Sequence, residues 1–284
     1  MQTIQLVYNP SAGGHSAPRI AALRLGFEGA GARVILSECG PGSPIAIAPD
    51  ASHICAVGGD GTARHAAVAL ASSGRMLPLS VYPAGTVNLL HREMKAPRDP
   101  AAYASGVLSP IRPASHYGVD INDTLFLACA SVGPDAETVA RLSPWLKQRI
   151  GRAAYGVAFL SVLIAWPRRR IVLDSGAMRV TCEAVYVAKG RYFAGPWSFA
   201  PDARLTNPLL HVIALERAGR LAYARFLWAV MRGRRVDRLP GVVAFTCTAL
   251  TAASDAPLPV QADGDIVAYL PARIALRAEP FAFR

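Results

Sequence analysis

The stretch Ile54-Cys55-Ala56-Val57-Gly58-Gly59-Asp60-Gly61-Thr62-Ala63-Arg64-His65-Ala66-Ala67-Val68-Ala69-Leu70 decides the fold. Its apolar start, 54–57, reads as a buried strand, and the run from Ala63 to Leu70 reads as a helix. Three glycines around one aspartate leave no side chain to block an anion between the two. Backbone N–H groups can then approach a phosphate directly, and the helix N-terminus favours its negative charge. Asp60 cannot itself hold a phosphate, since two anions repel. An acid there suits a metal ion or a hydroxyl proton beside the phosphates. A tight strand-to-helix turn without ligand would use the same residue types.

Two loops of the same kind flank this one. Thr3-Ile4-Gln5-Leu6-Val7-Tyr8 reads as a strand ending in Asn9-Pro10-Ser11-Ala12-Gly13-Gly14, with a helix from about Ala17 to Gly29 behind it. Leu77-Pro78-Leu79-Ser80-Val81-Tyr82 reads as another strand, followed by Pro83-Ala84-Gly85-Thr86-Val87-Asn88 and a helix over Leu89–Met94. In a parallel α/β sheet such loops emerge together at the carboxyl edge, where ligands bind. Three small-residue loops at one edge can line a nucleotide crevice.

These loops, in this order and spacing, resemble the signature loops of the diacylglycerol kinase catalytic-domain family. That family includes bacterial soluble lipid kinases and the related sphingosine and ceramide kinases. The resemblance continues weakly through Ser131-Val132-Gly133-Pro134-Asp135-Ala136, Gly151-Arg152-Ala153-Ala154-Tyr155 and Phe199-Ala200-Pro201 to Asp263-Gly264-Asp265. It implies an N-terminal α/β domain, a C-terminal β-rich sandwich and an active site in the cleft between them. It also implies that the final segment, near Ala278 to Arg284, packs back on the first domain.

The chain has 284 residues, 52% of them hydrophobic, which is enough for one large or two modest domains. A formal net charge of +11 and a pI near 9.9 suggest an anionic partner. No nucleic-acid motif is evident, so an anionic membrane surface is the better expectation. Five scattered cysteines without a Cys-x-x-Cys pair indicate neither a zinc site nor a disulfide framework. With a first strand beginning almost at Met1, no signal peptide is expected. The expected location is cytoplasmic, peripheral to the inner face of the membrane, and a homodimer is compatible with it.

No segment reaches the roughly 18 apolar residues of a membrane span. The nearest runs from Ala153 to Trp166 and has cationic flanks: Lys147, Arg149 and Arg152 before it, Arg168 to Arg170 after it. A second, Leu221 to Met231, precedes Arg232, Arg234 and Arg235. Each reads either as a buried helix of the second domain, the simpler account, or as an interfacial helix near lipid headgroups.

Residues 1–115 alternate strand and helix, as a doubly wound α/β domain does, with strands near 3–8, 33–37, 53–57 and 78–82. Residues 116–277 read as mostly β with two helices. Tyr117–Leu127 forms two short strands around an Asn-Asp turn. Further strand candidates are Ile171–Asp174, Met178–Cys182, Ala184–Lys189, Leu210–Leu215 and Val242–Ala249. Residues 278–284 return to the first domain on the strength of the resemblance.

The chemistry suggested is phosphoryl transfer from ATP, with Mg²⁺, to the hydroxyl of a membrane lipid. Asn9, Pro10, Ala12, Gly13, Gly14, Gly58, Gly59, Gly61 and Thr62 would cradle the nucleotide, and Gly85, Thr86 and Asn88 would complete its pocket. Asp60 would engage Mg²⁺ or the acceptor proton. On that view the nearly isosteric Asp60→Asn abolishes turnover and leaves the fold intact.

Asp263-Gly264-Asp265 reads by itself as an ordinary two-residue hairpin turn. The resemblance makes Asp265 the expected proton acceptor, in place of a family Glu, with Asp263 as its rival. Two departures stand out. Arg64-His65 replaces a family Asn-Glu. Thr206-Asn207 replaces an acidic pair that holds a structural Mg²⁺ in bacterial members. A neutral amide is a poor Mg²⁺ ligand, so no structural metal is expected.

Two other functions fit parts of the pattern. An NAD kinase-like enzyme shares the Gly-Gly-Asp-Gly-Thr loop and would act on a soluble acceptor. A non-catalytic nucleotide- or lipid-binding protein would be stabilised by nucleotide without transferring phosphate.

Overall fold

The computed structural model describes residues 1–10, 15–40, 44–142, 153–166 and 168–284. The chain divides into two compact units, Met1–His116 with Glu279–Arg284, and Tyr117–Ala278.

The first unit is a six-stranded sheet with helices packed on it. Its elements are β1 (Thr3–Tyr8), α1 (Ala17–Gly29), β2 (Arg33–Glu38), β3 (His53–Gly58), α2 (Asp60–Ser73), β4 (Leu79–Pro83), α3 (Leu89–Met94), α4 (Pro100–Leu108) and β5 (Ala114–His116). The order β2-β1-β3-β4 is fully parallel. The last strand, β18 (Phe281–Phe283), lies parallel to β4 and antiparallel to β5. Strand alternation puts Ile4, Leu6, Cys55, Val57 and Tyr82 on one face. There they pack on Ile20, Leu23 and Phe27 of α1 and Tyr103, Ala104 and Val107 of α4. In α1 those residues recur at helical spacing. The parallel register brings the ends of β1, β3 and β4 to one edge, the edge where the small-residue loops lie.

The second unit is a sandwich of two antiparallel sheets. One runs β10 (Arg179–Cys182), β9 (Ile171–Asp174), β14 (Ala249–Ser254), β17 (Ala272–Leu276), β6 (Val119–Ile121), β7 (Thr124–Phe126). The other runs β13 (Val242–Cys247), β12 (Leu210–Leu215), β11 (Ala184–Ala188), β8 (Cys129–Val132), β15 (Pro259–Ala262), β16 (Asp265–Tyr269). Val119, Ile121, Leu173, Leu250 and Ile274 of the first meet Val132, Val187, Val212 and Val260 of the second in one buried core. The run expected as a single strand, Val242–Ala249, is two. Cys247 still pairs with Leu210, whereas Ala249 pairs with Ala275 in the other sheet. The chain changes sheets at Thr248, a corner that β propensity alone does not mark.

Three α-helices complete this unit among the described residues: α5 (Pro134–Ala140), α6 (Ala153–Ala165) and α7 (Arg220–Met231). Helix α7 covers the outer face of β11 through Phe226, whose ring lies 5.0 Å from that of Tyr186. The Tyr186 and Tyr223 hydroxyls meet at 2.6 Å. Full burial of a side chain such as Phe226 contributes about 1.5–3 kcal/mol. No helix among the described residues is long and apolar enough to cross a membrane.

Candidate functional site

Helix α2 starts at Asp60, three residues earlier than the sequence suggested. Gly59 is its N-cap, so Gly61 and Thr62 present first-turn N–H groups rather than loop N–H groups. The glycines on either side also serve close packing. A methyl group at Gly85 would fall 2.8 Å from Gly59 N, nearer still to its Cα, and 2.9 Å from Asn88 Oδ1. One at Gly58 would collide with the Thr62 side chain. The loops after β3 and β4 therefore touch backbone to backbone, and only glycine allows it.

Asp60 fastens this contact. It is 7% exposed, and its two carboxylate oxygens accept the Leu89 N–H (2.9 Å) and the Leu90 N–H (3.0 Å) at the start of α3. Desolvation pushes its pKa up, and the backbone donors pull against that shift. Asn88 closes the second loop: its Oδ1 accepts from Gly85 N (2.9 Å) and its Nδ2 donates to Gly85 O (2.8 Å). It holds a left-handed conformation with φ 56°, which Asn tolerates well. Thr86 beside it is exposed.

At the same edge, Asn9 follows β1 and is partly exposed, and Pro10 is exposed. Ala12, Gly13 and Gly14 lie outside the described residues, as do Gly151, Arg152, Lys147 and Arg149. A hollow beside Asn9 is lined by His15, Ser16, Arg19, Val57 and Ala84. Arg19 and His15 were not singled out by sequence reading. The usable signal was a cation in the first turn of the helix behind a Gly-rich loop, since it stands where an anion would be held. Arg64, one of the two departures from the family pattern at this loop, is 7% exposed and meets His65 Nε2 through Nη2 at 3.1 Å.

In the second unit, Asp263 and Gly264 form the hairpin turn between β15 and β16, both with positive φ, 49° and 93°. Asp263 is 6% exposed. Its Oδ2 accepts from Leu127 N (2.7 Å), and its Oδ1 from Ala128 N (2.9 Å) and Cys129 N (3.2 Å). Asp265 opens β16 and is partly exposed. The turn rests on a polar cluster that sequence reading matched only weakly. Gln261 accepts from Gly264 N (2.9 Å) and donates to Ser131 Oγ (3.0 Å) and Asp135 Oδ2 (3.1 Å). Ser131 donates to the same Asp135 oxygen at 2.6 Å. Desolvation raises the Asp135 pKa against these bonds.

The turn holding Thr206 and Asn207 carries a cation of its own. The fully buried Lys189 donates from Nζ to the carbonyls of Arg204 (2.7 Å), Leu205 (2.8 Å) and Asn207 (2.7 Å). Those oxygens would otherwise be metal donors, so a divalent ion does not fit alongside the ammonium. Among the described residues, no group of three His, Cys, Asp or Glu side chains is placed to hold a metal.

Residues 3–116 match the family model of the diacylglycerol kinase catalytic domain, and residues 128–284 that of the YegS C-terminal NAD kinase beta sandwich-like domain. A Pseudomonas aeruginosa protein called Probable lipid kinase YegS-like is 32% identical over 202 residues, 70% of this chain. That match spans 64% of the relative's length. A Staphylococcus carnosus diacylglycerol kinase is 23% identical over 94% of this chain and 90% of its own. A crystal structure named as a diacylglycerol kinase from Bacillus anthracis shares the fold, with a TM-score of 0.71 at 15% identity over 99% of this chain and 96% of its own. The chain belongs to the family that joins a diacylglycerol kinase catalytic domain to a YegS-type β-sandwich domain.

Proposed function

We propose that this chain is an ATP-dependent lipid kinase, which moves the terminal phosphoryl group of ATP to the hydroxyl of a membrane lipid of the diacylglycerol or ceramide/sphingosine type. The observation that carries the reading is the glycine-to-glycine contact of the β3 and β4 loops, fastened by Asp60, at the carboxyl edge of the parallel sheet. It keeps first-turn N–H groups of α2 fixed for phosphate oxygens, and phosphoryl transfer asks mainly for such positioning and charge. Family membership and the relatives' names support the same activity.

Asp60 is a poor fit for Mg²⁺, because both of its oxygens already accept backbone N–H groups. Its part is to position the loops. Asp263 is likewise committed, to three backbone donors. Asp265, partly exposed at the start of β16, is the proton acceptor. The acceptor oxygen attacks the terminal phosphorus, its proton passes to the Asp265 carboxylate, and the bond from that phosphorus to the bridging oxygen breaks to release ADP.

The test is transfer of labelled phosphate from ATP and Mg²⁺ in mixed micelles of diacylglycerol, ceramide, sphingosine or native lipid extract, with NAD as soluble control. Labelled lipid is the expected result and names the acceptor. Label in NAD, or nucleotide-induced stabilisation with no labelled product, overturns the reading.

A further inference from the structure

Helix α6 does not look like a water-facing helix. It runs Ala153-Ala154-Tyr155-Gly156-Val157-Ala158-Phe159-Leu160-Ser161-Val162-Leu163-Ile164-Ala165 without a charged residue. Ala154, Ala158 and Val162 face inward. The opposite face is exposed and carries Val157, Leu160 and Ile164 at helical spacing, Ile164 at 82% exposure. A solvated helix places charges on that face; here the only polar group on it is Ser161.

Helix α7 repeats the pattern with arginines added. Leu221, Trp228 and Met231 are exposed at 67%, 44% and 51%, again at helical spacing. The guanidinium groups of Arg232 and Arg234 lie 5.7 Å and 4.5 Å from the Trp228 ring centre. The stretch 217–235 contains six arginines and no acid. The two helices are joined. Arg220 donates to the Leu163 carbonyl (2.9 Å) and the Ile164 carbonyl (3.0 Å), capping the end of α6. Trp166 Nε1 donates to Ala218 O at 2.9 Å. Beyond α6, Arg168, Arg169 and Arg170 line a hollow with Ser254 and Asp255.

We infer that the exposed faces of α6 and α7 form a docking surface for an anionic lipid bilayer, the apolar stripes entering the acyl boundary and the arginines meeting headgroup phosphates. Charge complementarity selects this occupant. Apolar side chains on an uncharged helix face, a part-exposed Trp and a high density of Arg, of which Arg168 and Arg235 are paired with Glu183 and with Asp202 and Asp237, are the composition of an interfacial anchor. A second copy of the chain would bring the same cations against themselves. The inference gives a place to the lipid-acceptor reading and rests on it for its purpose, since a kinase of membrane lipids must reach its acceptor.

The test is flotation of the full chain with phosphatidylcholine vesicles with and without phosphatidylglycerol, at low and high salt, for wild type and for Leu160→Glu with Ile164→Glu. Both positions are exposed, so folding is retained, and an unchanged thermal melt verifies it. Turnover on a short-chain diacylglycerol below its micelle concentration provides a second readout. Expected are salt-sensitive binding of the wild type to anionic vesicles, a loss of about tenfold or more in the double variant, and unchanged turnover of the soluble acceptor. Absent binding by the wild type, or equal binding by the variant, overturns the inference. So does a wild-type dimer that the substitutions dissociate while vesicle binding stays absent, which would assign the face to a second copy. If vesicle binding follows the expected pattern but no lipid is phosphorylated, the docking surface stands and the kinase reading falls.

Discussion

The Gly58–Thr62 motif and the Asp263–Asp265 turn carry aspartates of the same appearance and opposite fates. Asp60 and Asp263 are each buried among backbone N–H groups, the former holding α3 and the latter holding the entry to β8. Asp265, two residues from Asp263, is partly exposed. A buried carboxylate whose two oxygens already accept backbone N–H groups is poorly placed to take a proton from a substrate hydroxyl. The acid inside each motif is therefore first a fastener, and the proton transfer we propose is assigned to Asp265, the partly exposed acid beside the second.

The comparison breaks most visibly at the loop contact. Gly85→Ala would set a methyl group against the Gly59 backbone, which no rotamer change can relieve. A loss of about 3 kcal/mol in the first unit is expected, with loss of ATP-induced stabilisation. Denaturant unfolding with and without ATP measures both.

Next come the two fasteners. Asn keeps the left-handed backbone of position 263 comfortable but turns an amide group toward N–H donors. Asp263→Asn should cost about 2–3 kcal/mol, and Asp60→Asn, with two donors rather than three, about 1.5–2 kcal/mol. On these bonds the fold is expected to survive Asp60→Asn at reduced stability. Equal melting temperatures for wild type and both variants would remove the fastening role.

Lys189 sharpens the contrast by supplying a cation where acids are missing. Lys189→Met should destabilise the second unit by about 2–3 kcal/mol by orphaning carbonyls. EDTA should leave the wild-type melt unchanged. Stoichiometric Mg²⁺ in nucleotide-free protein by inductively coupled plasma analysis would contradict the tethered-ammonium account.

Near neutral pH the smallest effect concerns His53, at the start of β3 and so at the opposite end of that strand from the Gly58 loop. Burial, reinforced by the Arg284 charge, lowers its pKa to about 3. Below pH about 6.5 the unfolded chain takes up a proton there that the folded chain refuses until near pH 3. Stability therefore falls as pH drops through that window, by up to about 1.4 kcal/mol per unit. His53→Gln should flatten the slope of melting temperature against pH between 6.5 and 4.

The sequence showed much of the architecture because its signals are local. Strand-to-helix turns rich in Gly, and a run of apolar residues ahead of each, mark a parallel sheet without tertiary knowledge. Helix α3 could be read residue for residue. What stayed hidden depends on distance in the chain. The donors that Asp60 serves lie 29 and 30 residues away, and those of Asp263 lie 134 to 136 away. The carbonyls around Lys189 are set by a turn 15 to 18 residues on. The sheet change at Thr248 has no propensity signature. For α6 and α7, composition favoured burial over an interfacial position, and packing shows each helix with one buried and one exposed face.

The most direct test of the central claim compares Asp265→Asn with wild type in labelled-phosphate transfer to the lipid acceptor, alongside thermal melts. The account predicts an unchanged melt and a fall in kcat of about a hundredfold or more, the scale of a lost general base. An Asp265→Asn enzyme that keeps most of its kcat would contradict it.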